Sequence, residues 1–312
     1  MVSLSRLASA LSSSQQTGIT GSNVFRIHRL IFPTSHMAAA SLIAYGNGQF
    51  VAVGRSVYSL DGRGTTVISA DGVNWVPHSA GRGFLFTHIA YGNGQFVASA
   101  TSSTSPWLLL TSSDGVNWAY GLVDGRAGWF DSGPVIAYGD DQFVAVGTSF
   151  PAGMGISIQT SADGTNWVER RSGITDSPQA ITYRNGRFVA VGYSGTILTS
   201  NDGTNWVQGE SGTQNDLLCI ASGNGQFVAV GNGILTSTDG VSWVQRQSGT
   251  VNLLSGVSYG NGHFVAVGDS GTILESGIII TLALTPSRAL DFCRVPCRVQ
   301  PDWDTRFRPP PI

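Results

Sequence analysis

Short apolar runs recur along this chain, and within each run both alternating positions are nonpolar. The clearest is Phe-Val-Ala-Val, as at Phe188–Val191. Successive side chains of a β-strand point to opposite faces, so a run without polar alternation belongs to a strand covered on both sides. The run lies inside a phrase that occurs six times: Gly46–Gly54 (GNGQFVAVG), Gly92–Ala100 (GNGQFVASA), Gly139–Gly147 (GDDQFVAVG), Arg184–Gly192 (RNGRFVAVG), Gly223–Gly231 (GNGQFVAVG) and Gly260–Gly268 (GNGHFVAVG). The phrase phenylalanines, from Phe50 to Phe264, are spaced by 37 to 47 residues. Such periods belong to propellers and solenoids.

Residues 181–212 show the unit. Ile181–Tyr183 is a short strand, Asn185-Gly186 signals a type I′ hairpin, and Phe188–Val191 is the return strand. Thr196–Thr199 is a third, β-branched strand, Asp202-Gly203 a second turn, and Trp206 opens a fourth strand. No segment has a 3.6-residue apolar period, which excludes helical repeats. The pattern predicts an all-β fold, a six-bladed β-propeller of four-stranded antiparallel blades, each packed between two neighbours.

A second phrase keeps phase with the first. It reads SADGVNW to Trp75, SSDGVNW to Trp118, SADGTNW to Trp167, SNDGTNW to Trp206 and STDGVSW to Trp243. The aspartates Asp71, Asp114, Asp163, Asp202 and Asp239 each precede a turn glycine, where a carboxylate accepts local backbone N–H bonds. They and the five tryptophans are read as structural. The phrase resembles the Asp-box (BNR) repeat of sialidase-type propellers, sortilin-like receptors and the photosystem II assembly factor, over roughly residues 43–276. It is a short variant, lacking the residue between Asp and Gly. The resemblance implies a turn joining the third and fourth strands of a blade, away from any active site, and an extracellular or cell-envelope location.

The sixth repeat stops early: Thr272–Ser276 (TILES) tracks Thr196–Ser200 (TILTS), and no Asp-Gly-Trp follows. In four of five joins the box tryptophan lies 14 residues before the next first strand, and counting back 14 from Ile43 reaches Arg29 in the run Val24–Phe32. This N-terminal strand is therefore expected to close the last blade, with Ile278–Leu284 as the rival donor. An open edge would otherwise remain. Residues 1–23 are expected to be a disordered or targeting-like leader, 24–284 the propeller, and 285–312 a disordered or non-native tail.

Composition changes little in this picture. Net charge is −2 and charged residues are 12% of the 312, which gives no electrostatic case for nucleic acid. All 17 basic residues are arginine, so lysine-based Schiff-base or P-loop chemistry is excluded. Three cysteines, Cys219, Cys293 and Cys297, form no disulfide framework, and the five histidines have no metal spacing. No apolar stretch is long enough to span a membrane. Neither cofactor nor metal is expected, and the chain is expected to be monomeric.

Because strands alternate direction, the N-G and D-G turns share one face and the remaining loops and blade links share the other. The copies diverge on that second face: phrase Phe to box Trp is 25, 22, 24, 18 and 16 residues. Divergent loops on a rigid scaffold are where binding resides. The candidates there are Arg55, Tyr58, Arg63, Trp107, Arg126, Trp129 and Tyr193, since aromatic and arginine side chains dominate binding hot spots. Sialidase chemistry would require an arginine triad, a Tyr–Glu pair and an acid Asp. Only three glutamates exist, and Glu169 and Glu210 fall in outer strands. The loop carboxylates available to a glycosidase are Asp61, Asp124 and Asp131. The reading is a non-catalytic binding or scaffold propeller for an unidentified protein or glycan partner; the alternative is a glycan-cleaving hydrolase.

Overall fold

The computed structural model describes residues 24–30, 39–55, 63–82, 84–102, 105–123, 126–127, 130, 133–148, 155–171 and 178–276. They form a six-bladed β-propeller. Blade four shows the regular unit: Pro178–Arg184, Arg187–Gly192, Ile197–Ser200 and Val207–Gly209 pair antiparallel in chain order. The innermost strands of blades one to six are Ala39–Gly46, Leu85–Gly92, Val135–Gly139, Pro178–Arg184, Leu217–Gly223 and Leu254–Gly260, and consecutive ones pack together. Helix among the described residues amounts to two single 3-10 turns, Tyr193–Gly195 and Asp269–Gly271.

The doubly apolar strand explains the radial stack. In blade four, Phe188 and Ala190 join the core shared with blade three, whereas Val189 and Val191 join the core shared with blade five. Equivalent clusters fill the junctions one–two, two–three and five–six. A polar residue at either set of positions would open one junction. The hairpins need the left-handed backbone at both turn residues, as at Asn185 (φ 49°) and Gly186 (φ 74°), which is why Asn-Gly recurs.

A second lock joins neighbouring blades near the end of the innermost strand. Gly46, Gly92, Gly139 and Gly223 lie so close to Tyr91, Tyr138, Tyr183 and Tyr259 of the following blade that a Cβ would clash with the ring. The Tyr91 hydroxyl also donates to Asn47 Oδ1 of blade one (2.6 Å). The junction between blades four and five departs from this: Arg184 holds the glycine position and Ser222 the tyrosine position.

The ends correct the expected closure. The strand Val24–Leu30 is not the fourth strand of blade six. It pairs with the innermost strand of blade one, Val24 opposite Ala44 and Leu30 opposite Ala40, and lies against the innermost strand of blade six. Only residues 31–38 separate it from Ala39, and a short connection makes local antiparallel pairing cheap in loop entropy. Blade six has three strands among the described residues, ending at Ile273–Glu275. Ile273 and Leu274 are half-buried there, whereas Ile197, Leu198, Ile234 and Leu235 are buried. Ile278–Leu284 lies outside the described residues.

The long link after Trp118 is not a plain loop. Leu122–Val123 and Arg126–Ala127 form a small hairpin that adds to the outer edge of blade three, parallel to Asn166–Arg171. It occupies backbone donors and acceptors of an otherwise open edge.

Candidate functional site

The two faces of the ring differ in how much of their polar chemistry is already spent. On the turn face, each D-G turn is closed by its own side chains. In blade one the Asp71 carboxylate accepts the backbone N–H groups of Val73 (2.8 Å) and Asn74 (2.7 Å). The Asn74 amide donates to its second oxygen (2.7 Å), and Ser69 Oγ–H donates to the first (3.0 Å) while accepting the Gly72 N–H (2.8 Å). The Trp75 indole N–H donates to the Gly72 carbonyl (3.1 Å). The same aspartate-to-backbone and indole-to-glycine bonds recur at Asp114/Trp118, Asp163/Trp167, Asp202/Trp206 and Asp239/Trp243.

The turn phrase of one blade grips the box of the next. Gln49 donates to the Asp114 carbonyl (2.9 Å), Gln142 to that of Asp202 (2.8 Å) and Arg187 to that of Asp239 (2.7 Å). The turn glycines Gly115, Gly164, Gly203 and Gly240 are each pressed on a valine of the preceding blade; a Cβ at Gly203 would stand 2.7 Å from Val144.

The carboxylates show the electrostatic result. Backbone donors, led by Asn74 N–H, hold the Asp71 carboxyl well below its ordinary range, and Asn117 and Asn205 do the same for Asp114 and Asp202. The Ser242 N–H leads in lowering Asp239 to about 2. At Asp163 burial pushes upward most strongly, but the combined bonds from Asn166, Thr165 and Ser161 prevail and hold it at about 2. Groups held this firmly ionised and bonded cannot donate protons near neutrality.

The opposite face carries the blade links, and blade five opens a cleft there of about 630 Å³. Its origin lies in loop length. Blade four runs Gly192-Tyr193-Ser194-Gly195-Thr196-Ile197, and blade five runs Gly231-Asn232-Gly233-Ile234, two residues shorter. In blade four, Gly195 packs directly on the link, against Thr213 and Ser211. In blade five the equivalent link residues, Ser248 and Thr250, border open space together with Asn232, Gln245 and Gln247. Link and loop are both held in shape. Ser248 Oγ–H donates to the Thr250 carbonyl (2.8 Å), the Asn252 N–H donates to Thr250 Oγ1 (3.0 Å), and the Asn232 N–H to the Asp216 carbonyl (3.1 Å). Arg246, which also lines the cleft, donates its Nε–H to Thr236 Oγ1 (2.9 Å). Val251, at the lip, is fully exposed. Among the described residues the walls offer amide and hydroxyl groups and one cation, with no carboxylate in the lining.

The residues singled out from the sequence are scattered. Arg55 ends the second strand of blade one opposite Gly64, and Arg63 opens the third opposite Arg82. Arg126 pairs with Val123 in the hairpin on blade three. Trp107 is half-buried, bridges through its backbone to Phe130 (3.2 Å in both directions) and packs on the core between blades two and three. Tyr193 is half-exposed on the 3-10 turn of blade four. Tyr58 and Trp129, with Asp61, Asp124 and Asp131, lie outside the described residues. The cleft residues Asn232, Gln245, Gln247, Ser248 and Thr250 were not singled out. Their signal in the sequence is the shortest Phe-to-Trp spacing, 16 residues from Phe227 to Trp243, where the loop is shortened rather than lengthened. Among the described residues no group of three or more His, Cys, Asp or Glu side chains is placed to hold a metal ion.

No family model and no curated protein matches the chain. Solved structures do match in fold. YCF48 from Cyanidioschyzon merolae is 13% identical, with TM-score 0.52, covering 82% of this chain and 95% of its own. YCF48 bound to D1 peptide is 16% identical, with TM-score 0.52 and coverage of 81% and 83%. The computationally designed Ika8 protein is 15% identical, with TM-score 0.51 and coverage of 75% and 69%. At these identities the likeness is one of fold.

Proposed function

We propose that this chain is a non-catalytic binding propeller that holds an uncharged polar segment of a protein or glycan partner in the cleft of blade five. The observation that carries the reading is the cleft itself. A loop two residues short, on a link fixed by its own hydrogen bonds, exposes Asn232, Gln245, Gln247, Ser248 and Thr250 together. Such groups recognise peptide amides or sugar hydroxyls, and their rigid mounting lowers the entropy cost of binding. The turn face, by contrast, has its box carboxylates and amides committed to one another. That a YCF48 structure was solved bound to a peptide supports a peptide as the first partner class to try. We further read the Ser-x-Asp-Gly-x-x-Trp turn as a short form of the Asp-box, supported by its Ser–Asp–backbone bonding.

The test is a loop exchange. Asn232-Gly233 is replaced by Tyr-Ser-Gly-Thr, the blade-four sequence, which fills the cleft and leaves both flanking strands intact. Wild type and exchange variant are screened on peptide and glycan arrays, with a parallel glycoside hydrolysis assay. The expected result is binding by the wild type without hydrolysis, weakened about tenfold or more in the variant at an unchanged circular dichroism spectrum. Undiminished binding by the variant, or turnover of a glycan, overturns the reading.

A further inference from the structure

Blade four alone carries arginines in the turn phrase, R-N-G-R at residues 184–187. Elsewhere the position of Arg184 is glycine: Gly46, Gly92, Gly139, Gly223 and Gly260. At four of those positions the Cβ direction runs into the next blade's tyrosine. By register, Arg184 therefore points at Ser222, and the exchange is paired: a long cation enters where a glycine stands elsewhere, and the ring that would block it is gone.

Packing alone does not account for the choice. A side chain that only replaced the ring would be apolar, because a guanidinium placed in a junction costs desolvation. Arg184 Nε is buried and has no hydrogen-bond partner among the described residues. Ser222 Oγ, at the tyrosine position of blade five, shares a hydrogen bond with Thr182 Oγ1 (3.3 Å). Arg187, directly across the hairpin from Arg184, points the same way. Its Nη1 donates to the Asp239 carbonyl (2.7 Å) and its Nε to Asn201 Oδ1 (3.0 Å). Two guanidinium groups thus sit at one junction. The carboxylates of Asp202 and Asp239 nearby are held by their own turns. Asp140 and Asp141 act on Tyr183 from blade three, on the other side of the strand.

We propose that Arg184, supported by Arg187, forms an oxyanion-binding site on the turn face between blades four and five, taking the carboxylate or phosphate group of a ligand against the guanidinium edge that replaces the tyrosine ring of the other junctions. One guanidinium edge matches two anion oxygens, and an acceptor there relieves the unmet donor.

The test compares full-length wild type with two variants. R184Q keeps the length and removes the charge. The double variant R184G/S222Y restores the glycine–tyrosine pair of the other junctions. Melting curves and calorimetric titrations are recorded with inorganic phosphate, with acetate, and with chloride at matched ionic strength. The proposal expects phosphate or acetate to raise the wild-type melting temperature above that in chloride, the stronger of the two naming the ligand group. It expects both variants to lose that increment, with Kd weakened about tenfold or more in R184Q. Wild type that melts identically in all three salts, or variants that keep the increment, would overturn it. Should the double variant fail to fold, R184Q alone decides.

Discussion

Substituting Gly92 by alanine tests how the blades are locked. Gly92 ends the innermost strand of blade two, and a methyl group there would clash with the Tyr138 ring of blade three. That ring cannot swing away freely, because it packs on Phe143 at 4.8 Å between centroids. Overpacking of this kind costs about 1–3 kcal/mol. Alanine also restricts the unfolded chain, which returns about 0.4–1 kcal/mol. The net expectation is a loss of about 1–2 kcal/mol. Gly209 supplies the control: it too lies in a strand, and among the described residues its Cβ would meet nothing nearer than 3.9 Å. Gly209→Ala is therefore expected to be neutral or slightly stabilising. Tyr138→Ser removes the obstructing ring and mimics the natural Ser222. Combined with Gly92→Ala it should cost less than the sum of the single changes by about 1 kcal/mol or more. Equilibrium urea unfolding of the four variants measures all of this. Gly92→Ala as benign as Gly209→Ala, or strict additivity with Tyr138→Ser, would refute the lock.

Two further outcomes follow from the turn face. The box carboxyls have folded pKa values depressed below 3.8, to about 2 at Asp163 and Asp239. Their contribution is therefore complete above the unfolded value and is lost as pH falls through the folded ones. Melting temperature should hold between about pH 7 and 5 and decline below about pH 4. Solvent screening keeps each term small, so the decline reflects five sites together; an unchanged melting temperature at pH 2.5 contradicts this. Trp167 is 2% exposed and its indole bonds the Gly164 carbonyl (2.9 Å). Trp167→Ala should cost about 3–5 kcal/mol in urea titration, clearly more than the same change at half-buried Trp75.

The propeller was legible because one local rule, apolar residues on both faces of a strand, is repeated six times. Each copy says the same thing: Phe188 and Val189 have to be buried on opposite sides, and with no helical period in the chain a stack of blades does both. The closure was not legible from spacing. Counting back from Ile43 finds where a strand begins, but Val24–Leu30 has two edges within reach, and the nearer one, on the inside of blade one, wins by short connection. The extra hairpin at Leu122–Ala127 was hidden for a related reason, since two-residue strands leave no periodicity to read. The cleft was missed because it is made by a deletion, and a missing pair of residues presents no side chain to nominate. Trp107 stood outside the repeat, but its surroundings at Phe130 and Gly133 come from a link whose path the sequence does not specify.

Hydrogen–deuterium exchange on the full chain, with and without the tightest hit from the peptide and glycan arrays, tests the central claim most directly. Ligand-induced protection should concentrate in residues 231–234 and 245–251, with the D-G turns unchanged. Protection mapping instead to the box turns around Asp71 to Trp243, with none at the blade-five link, would contradict it.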